Sequence, residues 1–493
     1  MIGLTGDQNS FRRGKIGGLI SPLTFCLAFV GVLLGGCTVG PKYAKPTTEI
    51  PTSYKEIGNW KAAQPSDQAQ KGNWWEIFSD PQLNALEQKL TVSNQTLRAA
   101  VDRFQESRDA LRATRSNLYP LVTASVTPTQ NRQSQNRALR GATSPVNYSD
   151  LIAEGDFSYE VDTWGAIRRS VKSSRELAQA TAADLETIRL SLHAELAFDY
   201  LTLRGLDEQK RLFDNNVDAF QKALELTQSR FQGGVASRED VDLAATQLEQ
   251  TRAQDIDITS ARDQFEHAVA VLVGQPPSTF RLDPAPLPSA PPVPPPGLPS
   301  ELLERRPDIA GAERRVASAN EQVGIARAAY FPSITLGIIA GFEGSKFPNW
   351  LTGPSALWSI GGSAAETVFD FGKRRAASDQ AIATYDELIA DYQQTVLTSF
   401  QEVEDSLADL RVLQEESKTQ DDAVAAANRA LDQATNRYKG GLDTYLTVIT
   451  AQNAALVNER TEVSLLTRQL TSTVLLIKAL GGGWNASQLP AVD

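Results

Sequence analysis

Apolar positions change their period twice in each half of the chain, and those changes mark its elements. Residues 81–117 and 300–329 carry apolar side chains at helical spacing and run into an aromatic–proline pair, Tyr119-Pro120 and Phe331-Pro332. Proline cannot continue a helix and biases its predecessor toward extended backbone, so each helix is expected to stop there. Beyond the proline the period becomes two. Gly155, Phe157, Tyr159 and Val161 alternate with Asp156, Ser158, Glu160 and Asp162. Ile334, Leu336, Ile338, Ala340 and Phe342 alternate with Ser333, Thr335, Gly337, Ile339 and Gly341, and only Ile339 spoils the pattern. Such strands suit a soluble sheet packed on a core, or a barrel with lipid outside and water inside. Segments starting at Leu121, Ile152, Ser333 and Trp358 reach the roughly 9–11 residues that cross a bilayer at a tilt.

The helical period then returns over residues 169–232, 237–273, 374–439 and 444–480. At ~1.5 Å per residue, the longer two span roughly 90 Å, more than a globular core needs. Phe213, Val217, Phe220, Leu224, Thr227 and Phe231 recur at alternating steps of four and three, a coiled-coil seam. Gly233-Gly234 and Gly440-Gly441 end one helix and turn the chain, so each half closes in a helical hairpin.

The halves repeat. Residues 230–235, Arg-Phe-Gln-Gly-Gly-Val, match 437–442, Arg-Tyr-Lys-Gly-Gly-Leu, at an offset of 207. Trp164-Gly165 with Phe371-Gly372, and Val273-Gly274 with Leu480-Gly481, keep that offset, whereas Tyr119-Pro120 and Phe331-Pro332 are 212 apart. The second copy is thus five residues shorter between the proline and the aromatic–glycine pair, where a loop is expected. The proline-rich stretch 284–299 joins the copies as a semi-rigid linker. Four strands cannot close a barrel, and an open edge is not tolerated in lipid. Two copies of the chain would give eight strands and a filled interior; three give twelve and leave a lumen, so a trimer is preferred.

The N-terminus reads as an export signal. A basic stretch at 10–15 precedes an apolar run over 16–34, which ends Leu34-Gly35-Gly36-Cys37. Small residues before a cysteine make a bacterial lipobox, with Cys37 acylated (palmitate among the chains) and first in the mature protein. An uncleaved membrane anchor is the alternative. Thr38, rather than Asp, follows the cysteine and points to outer-membrane delivery. The expected segments are a signal peptide at 1–36, a lipidated arm at 37–73, a first repeat at 74–276, a linker at 277–299, a second repeat at 300–484 and a tail at 485–493.

Charge and composition narrow the function. The 493 residues carry a net charge of −11, which becomes −13 once residues 1–36 are removed. That argues against nucleic-acid binding. Mean hydropathy of −0.28 excludes a bundle of transmembrane helices. Two His and two Cys leave little for catalysis or metal binding, and Cys26 leaves with the signal, so no disulfide remains. His193 and His267 lie on helices without ligand-spaced partners and read as structural. Arg168-Arg169 and Lys373-Arg374-Arg375 follow strands and read as membrane-interface charges. No enzyme chemistry, cofactor or metal is expected.

Residues 37–43 (Cys-Thr-Val-Gly-Pro-Lys-Tyr), 74–83 (Trp-Trp-Glu-Ile-Phe-Ser-Asp-Pro-Gln-Leu), 306–309 (Arg-Pro-Asp-Ile), 164–169 and 437–441 occur in order across nearly the whole mature chain. In this set the chain resembles the outer membrane efflux protein family, in its NodT-like lipoprotein branch. The resemblance implies an α+β membrane protein of two repeats, each with two transmembrane strands and long coiled-coil helices. It implies a homotrimer whose 12-stranded barrel continues as a periplasmic helical barrel. It also implies partners: a periplasmic adaptor and an inner-membrane transporter, of the resistance-nodulation-division type, working in drug efflux and antibiotic resistance. The duct of a protein-secretion system and a non-porous lipid-anchored scaffold are the alternatives. By position, the resemblance assigns a periplasmic gate to the hairpin turns. Tyr438 is expected to donate to Asp240, and Leu446 and Thr450 to form the constriction. The family commonly has Asp where Thr450 stands; here Asp443 lies one turn before Leu446 instead, so a carboxylate ring would be displaced or absent.

Overall fold

The computed structural model describes residues 38–57, 72–136, 141, 145–292 and 301–492. The expected signal and Cys37 lie outside the described residues. The chain divides into two compact units. One, of residues 116–170 and 323–378 with the arm up to Pro41, holds the strands; the other, of residues 42–115, 171–322 and 379 onward, is helical.

In the strand unit β1 (Leu121–Arg132), β2 (Asn147–Glu160), β3 (Ser333–Gly344) and β4 (Ala356–Ala365) form one antiparallel sheet in that order. The alternation becomes two distinct faces. Val122, Ala124 and Val126 oppose Phe157, Gly155 and Ala153. These oppose Ile338, Ala340 and Phe342, which in turn oppose Ile360, Trp358 and Ala356. Directly paired residues share a face, so this face is apolar across all four strands. The other face carries Thr123, Ser125 and Thr127 beside Asp156, Glu154 and Ile152, then Ile339, Gly341 and Glu343. The sequence offsets also relate the two registers: Leu121 opposes Ser158, and Ser333 opposes Ala365. β2 begins at Asn147, earlier than the expected Ile152, because β1 supplies pairing as far as Arg132. β4 likewise starts at Ala356 rather than Trp358, opposite Phe342. The change of offset falls between the first and second strand of each half, where the connections are residues 133–146 and 345–355.

Four contacts organise the end of this unit. Trp164 stacks on Phe331 with ring centroids 4.7 Å apart, and its Nε1 donates to Pro332 O at 2.8 Å. The arm is fastened beside it: Val39 N donates to Trp164 O at 3.1 Å, and Arg169 Nη2 to Pro41 O at 3.2 Å. Arg169 is therefore buried and holds the arm, which corrects its reading as an interface charge. Arg168 and Arg374 bind Asp162 and Asp370, each at a helix start.

The helices are α1 (Pro81–Ser93), α2 (Gln95–Ser116), α3 (Ala166–Gln232), α4 (Arg238–Leu272), α5 (Leu302–Arg305), α6 (Pro307–Ala328), α7 (Lys373–Lys439) and α8 (Tyr445–Ala479). α3 and α7 each run 67 residues, and α4 and α8 each run 35. The single helices expected over 81–117 and 300–329 are each broken once. Asn94 leaves α1 in extended geometry, and its Oδ1 accepts from Leu97 N at 2.9 Å to start α2. Arg306 is extended too, because Pro307 disfavours helix in its predecessor. Its guanidinium spans Asp308 and Glu402 at 2.6 Å each and donates to Ala479 O at 3.1 Å. Left-handed Gly274 and Gly481 pack against these breaks. An added Cβ would lie 2.4 Å from Ser93 O at one and 2.1 Å from Arg305 O at the other.

The main core of the helical unit gathers Trp74, Trp75, Phe78, Leu83 and Leu90 with Leu196, Tyr200, Val269 and Val474. Asp80 caps α1 and accepts from Tyr200 Oη at 2.6 Å. The seam of α3 buries Phe213 and Phe220 against Leu248, Ile258 and Leu456, but ends at Thr227, since Phe231 is exposed. The linker's first part is no free spacer. Phe280, Leu282 and Leu287 are buried, and Arg262 and Arg204 donate to Leu282 O and Asp283 O at 2.5 and 2.9 Å.

Candidate functional site

The two hairpin turns share one backbone solution. Val235 N donates to Arg230 O at 2.8 Å and Gly234 N to Phe231 O at 2.9 Å; Leu442 N donates to Arg437 O at 2.9 Å and Gly441 N to Tyr438 O at 3.0 Å. This pair of bonds terminates a helix when the next residue is left-handed, and both Gly234 and Gly441 have φ of 73°. The second helices begin differently. In α4, Asp240 Oδ2 accepts from Ser237 N at 2.8 Å and from Ser237 Oγ at 2.9 Å, closing a capping box. In α8, Asp443 Oδ1 accepts from Thr444 N at 2.8 Å and Thr447 Oγ1 at 2.9 Å, and Oδ2 meets Arg437 at 3.2 Å. The Thr447 hydroxyl, with the Thr444 amide and Arg437, holds the Asp443 carboxyl below its ordinary range.

The expected bond from Tyr438 to Asp240 is not formed. The Asp240 carboxylate is used by its own helix start, where free N–H groups need an acceptor. The Tyr438 ring is buried with Ala244, Ala434, Tyr445, Val448 and Ile449, and its hydroxyl has no hydrogen-bond partner there. Beside this apolar packing, Arg230 makes a polar link between the hairpins. Its Nη1 donates to Tyr438 O at 2.9 Å, and its guanidinium lies 4.5 Å from the Tyr438 ring centroid. Tyr445 packs against that ring, tilted by 56°, with centroids 5.1 Å apart. Burial, then Tyr438 and Asp240, push Tyr445 up to about 12. Arg230 had been visible only as a repeat marker. Its counterpart Arg437 pairs with Asp443 instead, so identical motif positions do different work.

Leu446 and Thr450 lie on one exposed stripe of α8, while Tyr445, Val448 and Ile449 are buried. Thr450 Oγ1 donates back to Leu446 O at 2.9 Å. The structure thus buries Tyr438 in an apolar cluster while Asp240 serves its own helix start, brings Leu446 and Thr450 to one face, and commits Asp443 to a cap and an ion pair.

His193, read from sequence as lacking ligand-type neighbours, has a carboxyl partner from a distant segment. Its Nδ1 lies 2.5 Å from Glu87 Oε2, and its ring stacks on Trp75 at 4.4 Å. Burial drives both groups neutral, raising Glu87 and, with Arg189 adding, lowering His193 to about 4. No group of three or more His, Cys, Asp or Glu placed to hold a metal occurs among the described residues. No helix among them is long and apolar enough to cross a membrane.

An apolar-faced sheet on four strands, two long helical hairpins and a clasp at their turns define an α+β chain of the channel-forming kind. The outer membrane efflux protein family model matches it twice, over residues 86–275 and 298–482. The chain belongs to the outer membrane efflux protein family. It is 30% identical over 473 residues to the pyoverdine export outer membrane protein OpmQ of Pseudomonas aeruginosa, covering 95% of this chain and 98% of that one. It is 30% identical over 465 residues to the antibiotic efflux pump outer membrane protein ArpC of Pseudomonas putida, covering 93% and 95%. The solved outer-membrane channel OprN superposes with a TM-score of 0.84 at 30% identity, covering 91% of this chain and 100% of that one.

Proposed function

We propose that this chain is the outer-membrane exit duct of a tripartite efflux pump, passing small toxic compounds outward without chemistry of its own. The observation that carries this reading is the continuous apolar face of the sheet, with Trp358, Ile360, Val122 and Val126 exposed to the outside. In water that face would cost about 25 cal/mol per Å² of apolar area; in lipid it costs nothing. A scaffold without a pore has no use for it. The polar face opposite suits a water-filled lumen.

Three copies close the barrel, each β4 edge pairing with the next β1 edge, to give twelve strands. Gln133 N donates to Val146 O, so odd-numbered residues of β1 point toward β2 and even-numbered ones toward the free edge. Pro128 then omits one bond on that edge and leaves the others available. The hairpins continue the duct into the periplasm as two repeats of one plan. Their turns, with Asp240, Tyr438, Asp443, Leu446 and Thr450, form the gate that a periplasmic adaptor opens, and an inner-membrane transporter supplies the energy. Relatives named for pyoverdine export and for antibiotic efflux share this chain plan, which supports cargo choice upstream of the duct. Cys37 carries the lipid anchor.

The purified full-length chain, reconstituted in planar bilayers, is expected to run as a heat-dissociable trimer and to conduct in discrete steps. A folded trimer that never conducts overturns the duct. If deleting the gene abolishes export of a protein and leaves drug susceptibility unchanged, the secretion duct replaces it.

A further inference from the structure

Within one chain, the aromatic residue after β2 and the aromatic–proline pair before β3 make a specific contact. Trp164 lies flat on Phe331 at 4.7 Å and 26°, with Nε1 bonded to Pro332 O. The same two features recur after β4 and before β1. Phe371 stands 207 residues after Trp164, and Tyr119-Pro120 stand 212 before Phe331-Pro332. Those offsets also relate the β1–β2 register to the β3–β4 register, so the correspondence is geometric as well as sequential. Yet the recurring partners do not meet in the chain. β4 and β1 are the two outer strands of the sheet. Phe371 is 91% exposed and Tyr119 is 64% exposed.

Phe371 is also held in place. Its φ is 53°, a left-handed conformation disfavoured for a residue with a side chain. Asp370 fixes the turn around it, accepting from Gly372 N and Arg374 N at 3.1 Å each and from Arg374 Nε at 2.8 Å. Phe369 braces its ring at 4.5 Å. A large apolar ring fixed at an exposed position in an unfavourable backbone is prepared for a partner.

We infer that Phe371 of one copy stacks on Tyr119 and Pro120 of the next copy, repeating between chains the Trp164–Phe331–Pro332 contact made within each. The inference rests on the trimer reading and names the side chains that lock it at the membrane-proximal rim. The partner is a second copy of this chain because only that surface presents the matching aromatic–proline pair beside the matching strand edge. Phe371 has no indole N–H, so the contact between copies is a stack without the Nε1 bond, weaker than its model within the chain. Transposing the β2–β3 register, in which Ser158 opposes Gly337, places Ala365 opposite Ser125 of the next copy. Both are odd-numbered, hence a close, non-hydrogen-bonded pair.

The test is cysteine cross-linking in the full-length chain in native membranes. The mature sequence is free of cysteine after Cys37, so background is low. Tyr119→Cys with Phe371→Cys, treated with a short bifunctional thiol reagent, is expected to give linked dimers and circular trimers. Either single variant is expected to stay monomeric on a denaturing gel, because a three-fold axis keeps identical residues apart. Ser125→Cys with Ala365→Cys reports the strand edge independently. If the edge pair links and the aromatic pair does not, the trimer stands and this contact is wrong, with Phe371 facing lipid headgroups instead. If neither pair links, the trimer falls and takes this inference with it.

Discussion

Glu87 and His193 show how a residue can be placed by chemistry that spacing does not reveal. They are 106 positions apart, buried, and joined by one bond of 2.5 Å. Both are pushed to neutral forms by burial, so a protonated Glu87 donates to an unprotonated His193 Nδ1. Glu87→Gln keeps a donor there and should cost little. Glu87→Leu leaves Nδ1 buried without a partner and should cost about 1–3 kcal/mol. Thermal unfolding of the two variants checks this; equal losses would mean that the carboxyl is ionised. The signs for pH follow from the same pair. His193 is lowered to about 4, so its contribution is full above its unfolded value of 6.5 and is lost as pH falls toward 4. Glu87 is raised, so its contribution is present below 4.5 and is lost as pH rises through its folded value. Neither effect was readable in the chain, because a lone histidine on a helix carries no mark of what folds against it.

At the scale of elements, strands and hairpins were legible because each has its own period and punctuation: Pro120 and Pro332 stop helices, and the Gly pairs turn them. Breaks at Asn94 and Arg306 were not, because apolar spacing runs through them, although Pro307 disfavours helix at Arg306. The clasp between hairpins was misplaced for a related reason. Tyr438 packs in a cluster with Ala244 of α4, but Asp240 at the start of that helix spends its carboxylate on the Ser237 cap. Mutants should therefore separate the two accounts. Tyr438→Phe removes a hydroxyl without a partner and should leave single-channel conductance and trimer stability unchanged. Arg230→Ala removes a charged hydrogen bond and a cation–π contact, worth about 2–3 kcal/mol together, and should raise conductance and speed proteolysis near Gly234. The reverse ranking would restore the phenol–carboxylate latch.

For the whole molecule, the question is what keeps it in the outer membrane, and two anchors are proposed: the acylated Cys37 and the barrel. Cys37 stands two residues before Val39, whose N–H is bonded to Trp164 O in the strand unit, and Arg169 grips Pro41. Gly40 takes φ of 115°, and a Cβ there would fall 2.6 Å from Gly324 Cα, so the arm is seated closely. The described arm is thus fastened to the strand unit from Val39 onward, and the proposed acylation site precedes it by two residues in sequence. A closed barrel leaves no unpaired edge in lipid and holds itself in the bilayer without help from acyl chains. Cys37→Ser should then abolish incorporation of labelled palmitate and slow trimer assembly, yet leave assembled trimers in the outer-membrane fraction with unchanged conductance. Release of the variant into the soluble periplasm would show that the lipid, rather than the sheet's apolar face, holds the molecule there. That result would undercut the barrel, because a face made of Trp358, Ile360, Val122 and Val126 would have failed to hold lipid by itself.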